Sequence, residues 1–328
     1  MPTLLTIGGT RFIGRHTVEE FLAHDYDVTL LTRGESENPF ADREDVSHVQ
    51  GDRNDRRDLE RARGQVNPDV VVDLCAYHPE QVREACTVFT DCEAYVYVSS
   101  GSAYAEQSVP MREDETPLCE CTPEQARDES METYGPRKAE GDRAVFEAAE
   151  SGTNAMSVRP MLVYGPHDYT ERFAYWVNRV SEYDHVLVPG DGGSLFHRAY
   201  VGDVASALRV VAEAGEAGEA YNVADRDAMT LERSLDLVAD AIDTEVEAVH
   251  ASEYDLERGD LSPEEFVLYT PDPLLADTGK LTALGWESTP VDEAVTTTAR
   301  AHLDSDRTGA DHDPGREREA GVIDALTE

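Results

Sequence analysis

The stretch "TLLTIGGTRFIG", residues 3–14, decides how the chain begins to fold. A short run rich in apolar residues is followed at once by two adjacent glycines, and Gly14 stands five positions after the second of them. Such a run predicts a buried strand, and the glycines permit a tight turn with close backbone approach. The next residues, "RHTVEEFLAH" (15–24), have their apolar positions at helical spacing. The stretch therefore predicts a strand, a glycine turn and a helix that opens at the turn.

Segments typical of strands and of helices alternate through the first half of the chain. Because neighbouring parallel strands must be joined by crossovers, this alternation predicts a parallel sheet covered on both faces. The predicted fold class is α/β: a doubly wound parallel sheet of the Rossmann type with a smaller mixed α/β C-terminal lobe. Strands are predicted at 3–9, 27–33, 68–76, 94–100 and 154–160, and helices at 15–24, 55–63, 79–89 and 133–150.

The regular alternation ends near residue 165, and this predicts the domain boundaries. Residues 1–165 are expected to form a dinucleotide-binding domain, with a returning segment near 198–225. A discontinuous substrate-binding lobe is expected over 166–302. The polar and charged residues 303–328 are expected to form a flexible acidic tail.

Charge narrows the classes of partner. Of the 328 residues, 68 are acidic and 28 basic, which gives a net charge of −40. Such a surface repels phosphate backbones and anionic lipids, so neither nucleic acid nor a membrane is an expected partner. The acidic excess, with only two lysines, is typical of proteins from salt-loving archaea, where molar salt screens self-repulsion. An acidic surface that binds a partner is the alternative interpretation.

The cysteines, histidines and N-terminus give no sign of a metal site, a disulfide framework or a targeting segment. None of the five cysteines forms a C-x-x-C pair, and the ten histidines lack ligand spacing. No window reaches ~18 apolar residues, and no basic segment precedes the first apolar run. We therefore expect reduced thiols, no metal, no membrane span and a cytoplasmic location.

One of the two lysines, Lys138, follows Tyr134 by four residues in "ETYGPRKAE" (132–140). Residues at i and i+4 lie on one face of a helix. A nearby ammonium would lower the pKa of the phenol, so that Tyr134 could take or return the proton of a substrate hydroxyl. Hydroxyl groups end the preceding strand at the carboxyl edge of the sheet, where this architecture binds ligands. They belong to Ser99, Ser100 and Ser102.

The end of the second strand bears on the choice between NAD and NADP. In NAD sites an acidic residue there binds the adenosine ribose, but this chain has Thr32 followed by Arg33. Arg11 stands in the glycine turn where a third glycine is usual. The two guanidinium groups favour the 2′-phosphate of NADP, although both could instead be solvated surface groups. Asp52, in "GDRND" (51–55), is either an acceptor for the adenine amine or an exposed loop residue.

Together these motifs resemble the extended short-chain dehydrogenase/reductases, specifically the NAD-dependent epimerase/dehydratase family. The resemblance runs from the glycine turn to about residue 300 and includes "VYVSSGSAY", "YGPRK", "SVRPMLVYGP", "RAYVGDVASAL", "YNVAD" and "DTGKLTALGW". It implies that Ser100 is the catalytic hydroxyl, that Tyr134 is the acid/base, and that Lys138 is its partner and binds the nicotinamide ribose. Ser102 is the reserve for Ser100. The candidate cofactor-binding residues are Gly8, Gly9, Thr10, Arg11, Phe12, Ile13, Gly14, Thr32, Arg33, Asp52, Cys75, Ala76, Ser99, Tyr134, Lys138, Pro160 and Val163.

The resemblance implies an NAD(P)-dependent epimerase or dehydratase that acts on a sugar, in the first place a nucleotide sugar, by transient hydride transfer. An NADP-dependent reductase or dehydrogenase of a small carbonyl or alcohol is the second hypothesis. A non-catalytic dinucleotide-binding or RNA-associated protein is the third. The resemblance also implies a homodimer, in which the helices at 79–89 and 133–150 pair with their copies as a four-helix bundle.

Departures from the family pattern bear on the substrate. An arginine that holds the diphosphate of nucleotide sugars usually stands where this chain has Phe196, and His197 and Arg198 follow it. The family's asparagine before V-Y-G-P is replaced by Leu162. "GGTRFIG" is itself typical of an atypical subgroup that includes chloroplast stem-loop-binding proteins, some of which bind RNA. Many of those relatives lack the tyrosine, whereas the tyrosine–lysine pair is intact here.

Overall fold

The computed structural model of the protein describes residues 1–327. The chain forms two compact units, each assembled from three stretches of sequence. Unit 1 comprises Met1–Val163, Val201–Ala224 and Ala276–Ser288. Unit 2 comprises Tyr164–Tyr200, Asp225–Leu275 and the chain from Thr289 onward.

Strands and helices are numbered in chain order. None of the helices within residues 1–327 is both long enough and apolar enough to cross a membrane. The strands are β1 Thr3–Ile7, β2 Asp27–Thr32, β3 Val46–Gln50, β4 Val70–Asp73, β5 Ala94–Val98, β6 Ala155–Pro160, β7 Leu162–Tyr164, β8 His185–Pro189, β9 Arg198–Tyr200, β10 Ala220–Val223 and β11 Glu247–Ala251. The helices are α1 Phe12–Ala23, α2 Arg56–Val66, α3 Pro79–Val88, α4 Tyr134–Glu150, α5 Arg172–Glu182, α6 Val201–Ala214, α7 Leu231–Ile242, α8 Glu253–Arg258, α9 Gly279–Thr282, α10 Val291–Leu303 and α11 Arg316–Thr327.

Unit 1 is built on a seven-stranded parallel sheet of order β3-β2-β1-β4-β5-β6-β10. The chain winds outward from β1 through β2 to β3, and then outward on the other side from β4 through β5 to β6. Helices α1 and α6 pack together, as do α3 and α4. The strands β4, β5 and β6 are buried along their whole length, as strands covered on both faces must be. The predicted doubly wound α/β fold is confirmed, and such sheets bind ligands at their carboxyl edge.

Apolar side chains explain why the first βαβ unit forms as predicted. Leu4, Leu5 and Ile7 of β1 are fully buried, and the inward face of α1 buries Val18 and Phe21. Full burial of such a side chain contributes roughly 1.5–3 kcal/mol. These contacts fix α1 against the sheet, so the glycine turn between β1 and α1 lies at the carboxyl edge.

Strand β3 was not predicted from the sequence. It lies at the edge of the sheet and pairs only with β2, and none of its residues is fully buried. With Ser47, His48 and Gln50 exposed, the segment lacks the apolar pattern by which a strand is recognised. Pairing with β2 supplies the order that its own composition does not.

Unit 2 combines helices with a small sheet. Strands β8 and β11 pair in parallel, α7 packs on α5 and α10, and α11 contacts both strands. The structure contradicts the expectation of a flexible tail, because α11 lies within residues 303–328. Its Glu319 is only 1% exposed and accepts hydrogen bonds from Arg179 Nη2 at 2.9 Å and Tyr175 Oη at 3.0 Å. A buried carboxylate with these partners anchors the helix, a contact that composition alone does not reveal.

Candidate active site

The glycine turn between β1 and α1 needs its glycines for two reasons. Gly8 and Gly9 have φ angles of 97° and 122°, which side chains other than hydrogen rarely permit. A Cβ atom on Gly14 would lie 2.6 Å from the Gly9 Cα, so the first turn of α1 rests directly on the glycine turn. The backbone amides at the start of α1 therefore open onto the carboxyl edge, where an anionic group can be bound.

The other residues of the turn divide between the core and the surface. Phe12 is buried, Thr10 and Ile13 are half-buried, and Arg11 is exposed. The Arg11 Nη2 donates to Ser36 Oγ at 3.2 Å, in the loop that follows β2. The arginine that replaces a glycine thus reaches towards the end of the second strand.

The end of β2 carries polar groups that already have partners. Thr32 Oγ1 and His48 Nε2 form a hydrogen bond of 2.7 Å. Arg33 and Glu35 form an exposed ion pair, with Nη2 and Oε2 3.0 Å apart. Arg11 and Arg33 therefore each contact one residue of the loop after β2, Ser36 and Glu35 respectively. The sequence interpretation missed Glu35, although an acidic residue three positions beyond Thr32 was a visible signal.

Asp52 and Cys75 are held by local contacts. Asp52 Oδ1 accepts the backbone N–H of Asn54 at 2.9 Å, which closes the loop after β3. The Cys75 thiol is directed at the carbonyl of Ile7, 3.4 Å away, next to the glycine turn. Burial raises the pKa of Cys75 to about 11, so it is a neutral thiol at physiological pH.

Helix α4 begins at Tyr134 and carries Lys138 one turn later. The ammonium is buried, and Nζ donates to the carbonyls of Ala76 at 2.9 Å and Val98 at 2.8 Å. It lies over the Tyr134 ring, 5.7 Å from its centroid. Desolvation lowers the pKa of Lys138 from 10.5 to about 8, against the opposing effect of nearby carboxylates. The structure therefore brings tyrosine and lysine together on one helical face, with the lysine charge inside the protein.

The serines form a turn against which α4 begins. Ser100 Oγ accepts the backbone N–H of Ser102 at 3.1 Å, at the start of a short 3-10 helix, Gly101–Ala103. A Cβ on Gly135 would collide with the carbonyl oxygen of Ser102. The glycine beside Tyr134 thus lets the first turn of α4 approach the serine turn closely. Ser99 Oγ is buried and has no hydrogen-bond partner within residues 1–327.

The residues after β5 and at the end of β6 meet at the same edge of the sheet. A Cβ on Gly101 would lie 3.5 Å from the carbonyl oxygen of Pro160, the last residue of β6. Val163 follows three positions later and is half-buried. The glycine turn, the serine turn, the start of α4 and the end of β6 are thus all parts of the carboxyl edge of unit 1.

A buried polar network behind this edge was not found from the sequence. Arg159 Nε lies 2.8 Å from Asp142 Oδ2, and Arg159 Nη1 donates to Tyr104 Oη at 3.0 Å. Tyr104 Oη donates in turn to Asn222 Oδ1 at 2.7 Å. Asp142 lies one turn beyond Lys138 on α4, so the network ties α4 to β6 and β10. The sequence signal was an arginine inside the otherwise apolar strand "AMSVRP" (155–160).

The residues at the family's diphosphate position lie inside unit 2. Phe196 is buried, and Arg198 is 1% exposed. The Arg198 Cζ lies 4.8 Å from the centroid of the Tyr164 ring and 4.7 Å from that of the Phe173 ring. Burial lowers the pKa of Arg198 below its usual value. Arg198 is therefore a core residue of unit 2. Within residues 1–327, no group of three or more His, Cys, Asp or Glu side chains is arranged to hold a metal ion.

A parallel sheet with a glycine turn after its first strand, and a helix that opens with Tyr-x-x-x-Lys, defines the class of Rossmann-type short-chain dehydrogenase/reductases. Residues 4–224, two thirds of the chain, match the model of the NAD dependent epimerase/dehydratase family. The chain belongs to this family, whose members are enzymes of the short-chain dehydrogenase/reductase type.

Two curated relatives differ widely in what their names say. The chloroplast stem-loop binding protein of 41 kDa b from Arabidopsis thaliana is 28% identical over 241 residues, which are 70% of this chain and 60% of that protein. The decarboxylating sterol-4-alpha-carboxylate 3-dehydrogenase from Candida albicans is 26% identical over 237 residues, 65% of each chain. The matched region thus spans less than two thirds of either relative.

Solved structures support the fold. The UDP-glucose 4-epimerase from Thermotoga maritima, crystallised with UDP-glucose, superposes with a TM-score of 0.72 at 19% identity, covering 92% of this chain and 99% of that one. The dTDP-glucose 4,6-dehydratase from Bacillus anthracis, in complex with NAD, gives 0.73 at 18% identity, covering 95% and 100%. At such identities the likeness establishes the fold alone.

Proposed function

We propose that the protein is an NAD(P)-dependent epimerase or dehydratase that acts on a sugar, in the first place a nucleotide sugar. Tyr134 is its acid/base, Lys138 the partner of Tyr134, and Ser100 the second hydroxyl. The observation that carries the proposal is the buried Lys138 ammonium, which two carbonyls hold over the Tyr134 ring, 5.7 Å from Nζ to the ring centroid. Burying a charge is costly, and a buried ammonium beside a tyrosine is typical of sites where the tyrosine transfers protons.

The residues present fit a nicotinamide dinucleotide. The glycine turn and the start of α1 offer backbone amides to a pyrophosphate. Within residues 1–327, two of the three N–H groups of Lys138 donate to carbonyls, which leaves one for a ribose hydroxyl. When bound, the dinucleotide supplies the chemistry of accepting a hydride from the substrate carbon and returning it.

Tyr134 would move the proton that accompanies this chemistry. As a phenolate, whose negative charge the positive charge of Lys138 stabilises, it takes the proton from the substrate hydroxyl and becomes a neutral phenol. Because the Ser102 N–H occupies an acceptor position of Ser100 Oγ, the Ser100 O–H can donate to the same substrate oxygen. The resulting ketone permits epimerisation or elimination before Tyr134 returns the proton.

The experiment that tests Tyr134 is its replacement by phenylalanine, which keeps the ring and removes the hydroxyl. We expect turnover to fall by about 10²–10⁴-fold, while dinucleotide affinity stays within about twofold. The matched control is Tyr254→Phe, a tyrosine that is 71% exposed on α8. Turnover of Tyr134→Phe within twofold of wild type would remove the residue from the mechanism.

Incubation with a panel of nucleotide sugars, with products identified by NMR, tests the substrate class. An NADP-dependent reductase or dehydrogenase of a small carbonyl or alcohol would use the same three side chains, and the match to a sterol dehydrogenase supports this second candidate. Conversion of a nucleotide sugar without net consumption of dinucleotide favours the first. No conversion, together with net oxidation of added NADPH by simple carbonyls, favours the second.

We propose that NADP is preferred over NAD. One support is that the end of β2 carries Thr32 in place of a carboxylate. The other is that Arg11 and Arg33 both lie at the loop after β2, where they contact Ser36 and Glu35. A 2′-phosphate would have to compete with Glu35 for Arg33, since these two residues already form an ion pair. The preference therefore depends on how far phosphate, a doubly charged acceptor, outcompetes a single carboxylate.

The assembly and the absence of nucleic acid are also proposals. We propose a homodimer through α3 and α4, which pack side by side in unit 1 and are bridged by Arg83 Nη2 and Glu140 Oε1 at 2.5 Å. The match to a stem-loop binding protein is the reason to test RNA. The net charge of −40 opposes RNA binding, and a filter-binding titration at low salt, where attraction would be strongest, is the test.

A further inference from the structure

A buried ion pair in unit 1 has no part in the chemistry described above. Arg53, from the loop after β3, is 8% exposed, and Asp73, the last residue of β4, is fully buried. Arg53 Nη2 donates to Asp73 Oδ2, and Tyr95 Oη donates to the same oxygen at 2.9 Å. Arg53 Nε and Nη1 have no hydrogen-bond acceptor within residues 1–327. Asp73 is therefore the group that compensates the arginine charge.

Asp73 also shapes the chain that holds Lys138. The other carboxylate oxygen, Oδ1, accepts the backbone N–H of Cys75 at 3.3 Å, which fixes the turn after β4. The next residue is Ala76, whose carbonyl accepts Lys138 Nζ at 2.9 Å. A continuous set of contacts thus leads from Arg53 through Asp73 and its turn to the lysine.

The hydrogen-bond acceptors of the Lys138 ammonium are neutral, so charges act on it through space. Its Nζ is bound by two carbonyls and lies 5.2 Å, 4.8 Å and 5.7 Å from the ring centroids of Tyr77, Tyr97 and Tyr134. The charged or titratable groups that act on it are Asp73 at the end of β4, Asp142 on α4, Cys75 after β4 and Arg53 in the loop after β3.

We propose that the Arg53–Asp73 pair is a charge-setting and positioning element for Lys138. Asp73 holds the turn that binds the lysine and favours its ammonium form, and Arg53 partly cancels that effect. The inference rests on the proposed role of Lys138, but it concerns the ionisation of that lysine, which can be measured without substrate. In agreement with it, burial lowers the pKa of Lys138 to about 8, Asp73 and Asp142 oppose the shift, and Arg53 adds to it.

Neither residue needs to touch substrate or dinucleotide in this role. A lysine that is half ionised near pH 8 can lose or gain its proton at modest cost when the charge on Tyr134 changes. An ammonium whose charge carboxylates fully balance would keep its proton throughout. Without the charge of Arg53, Asp73 would stabilise the Lys138 ammonium, and the lysine would then keep its proton. The arginine keeps the carboxylate in place while limiting its influence.

The chain offers a direct measurement, because Lys138 and Lys280 are its only lysines. Protein labelled with ¹³C at lysine Cε gives two NMR signals, which a Lys280→Arg variant assigns. Titration from about pH 6 to 11 at fixed salt brackets the Lys138 midpoint and reaches the onset of the Lys280 titration. It is carried out on wild type, Asp73→Asn, Arg53→Met and the double variant. Lys280, which is bound by Glu219 and Asp114, is the internal control.

The expected shifts have opposite signs. Asp73→Asn should lower the Lys138 midpoint by about one pH unit, since a nearby charge shifts a pKa by one unit or more. Arg53→Met should raise it by a smaller amount, because Arg53 only partly cancels the effect of Asp73. The double variant should lie between Asp73→Asn and wild type, because the loss of Arg53 offsets only part of the loss of Asp73. If Asp73→Asn does not fold, the other two variants decide. An unchanged Lys138 midpoint in Arg53→Met, or shifts of one sign in all variants, would overturn the inference.

These outcomes are separable from those for the proposed function. The predicted shifts in a protein that converts no nucleotide sugar would leave the charge-setting role intact and reject the substrate. Unchanged midpoints in an enzyme that loses turnover on Tyr134→Phe would reject the role of Arg53 and Asp73 alone.

Discussion

Replacing Lys138 by methionine should remove the dependence of stability on pH that its buried ammonium causes. The side chain is 3% exposed, and burial lowers its pKa from the usual 10.5 to about 8. The folded state therefore loses this proton at lower pH than the unfolded state. Between about pH 8 and 10.5 the unfolded state binds more protons, so stability rises with pH over that range.

The size of the effect follows from the shift. At 1.36 kcal/mol per pKa unit, the change from 10.5 to about 8 corresponds to about 3 kcal/mol. This cost is fully present below about pH 8 and is absent above about 10.5. Methionine fills most of the space of the lysine stem, but the carbonyls of Ala76 and Val98 lose their donor, at roughly 1–3 kcal/mol each. That loss does not depend on pH. Any pH dependence in the difference between the unfolding free energies of wild type and variant therefore comes from the ionisation of Lys138.

The assay is urea denaturation of wild type and Lys138→Met between about pH 7.5 and 10.5 at one salt concentration. This range covers the pKa of the lysine in the folded state and in the unfolded state. The free energy of unfolding of wild type minus that of the variant should increase by about 3 kcal/mol across the range. The matched control is Lys280→Met. Although burial opposes it, hydrogen bonds to Glu219 and Asp114 raise the pKa of Lys280 above 10.5, so its contribution to stability is fully present over this range and is lost only at higher pH.

For Lys280 the difference between wild type and variant should therefore stay flat across this range. A Lys138 difference that stays flat across the whole range would refute the argument, because it would mean that the ammonium is as well solvated in the folded protein as in the unfolded chain. A Lys138 difference that shrinks as pH rises would mean that carboxylates overcompensate burial.

Three further outcomes can be checked. Gly14→Ala puts a Cβ 2.6 Å from Gly9 Cα, so we expect at least about a tenfold loss of dinucleotide affinity by calorimetry, with Gly64→Ala, which meets nothing within 4 Å, as the neutral control. NADP should bind more tightly than NAD. Arg33→Ala should lower NADP affinity by about tenfold, and Glu35→Gln should raise it by about as much. Equal NADP affinities in wild type and both variants would mean that the arginine plays no part. Light scattering in multimolar salt should give the mass of a dimer, whereas a monomer at both low and high salt would count against the proposed interface.

The sequence by itself predicted most of the elements of unit 1 in their order, and it predicted the edge of the sheet that carries the candidate site. Apolar runs and helical spacing are local properties, so they predicted β2 and the helix over 79–89 at almost the residues where the structure has them. Glycines beside the first strand and the four-residue spacing of Tyr134 and Lys138 are local as well. Because parallel strands end at one edge, the sequence also predicted which edge would carry the site.

Only the tertiary structure decided which charges lie inside. The sequence marks Arg53, Asp73 and Asp142 as polar residues, and no pattern near them reveals that they are buried. A buried charge is tolerated only where a partner lies within hydrogen-bond distance, and these partners are distant in sequence, as Asp73 is from Arg53. The same reason explains the edge strand β3 and helix α11, which are ordered by contacts with β2 and with Arg179. Local spacing reports neighbours within one turn, whereas the ionisation of Lys138 depends on groups that only folding brings near it.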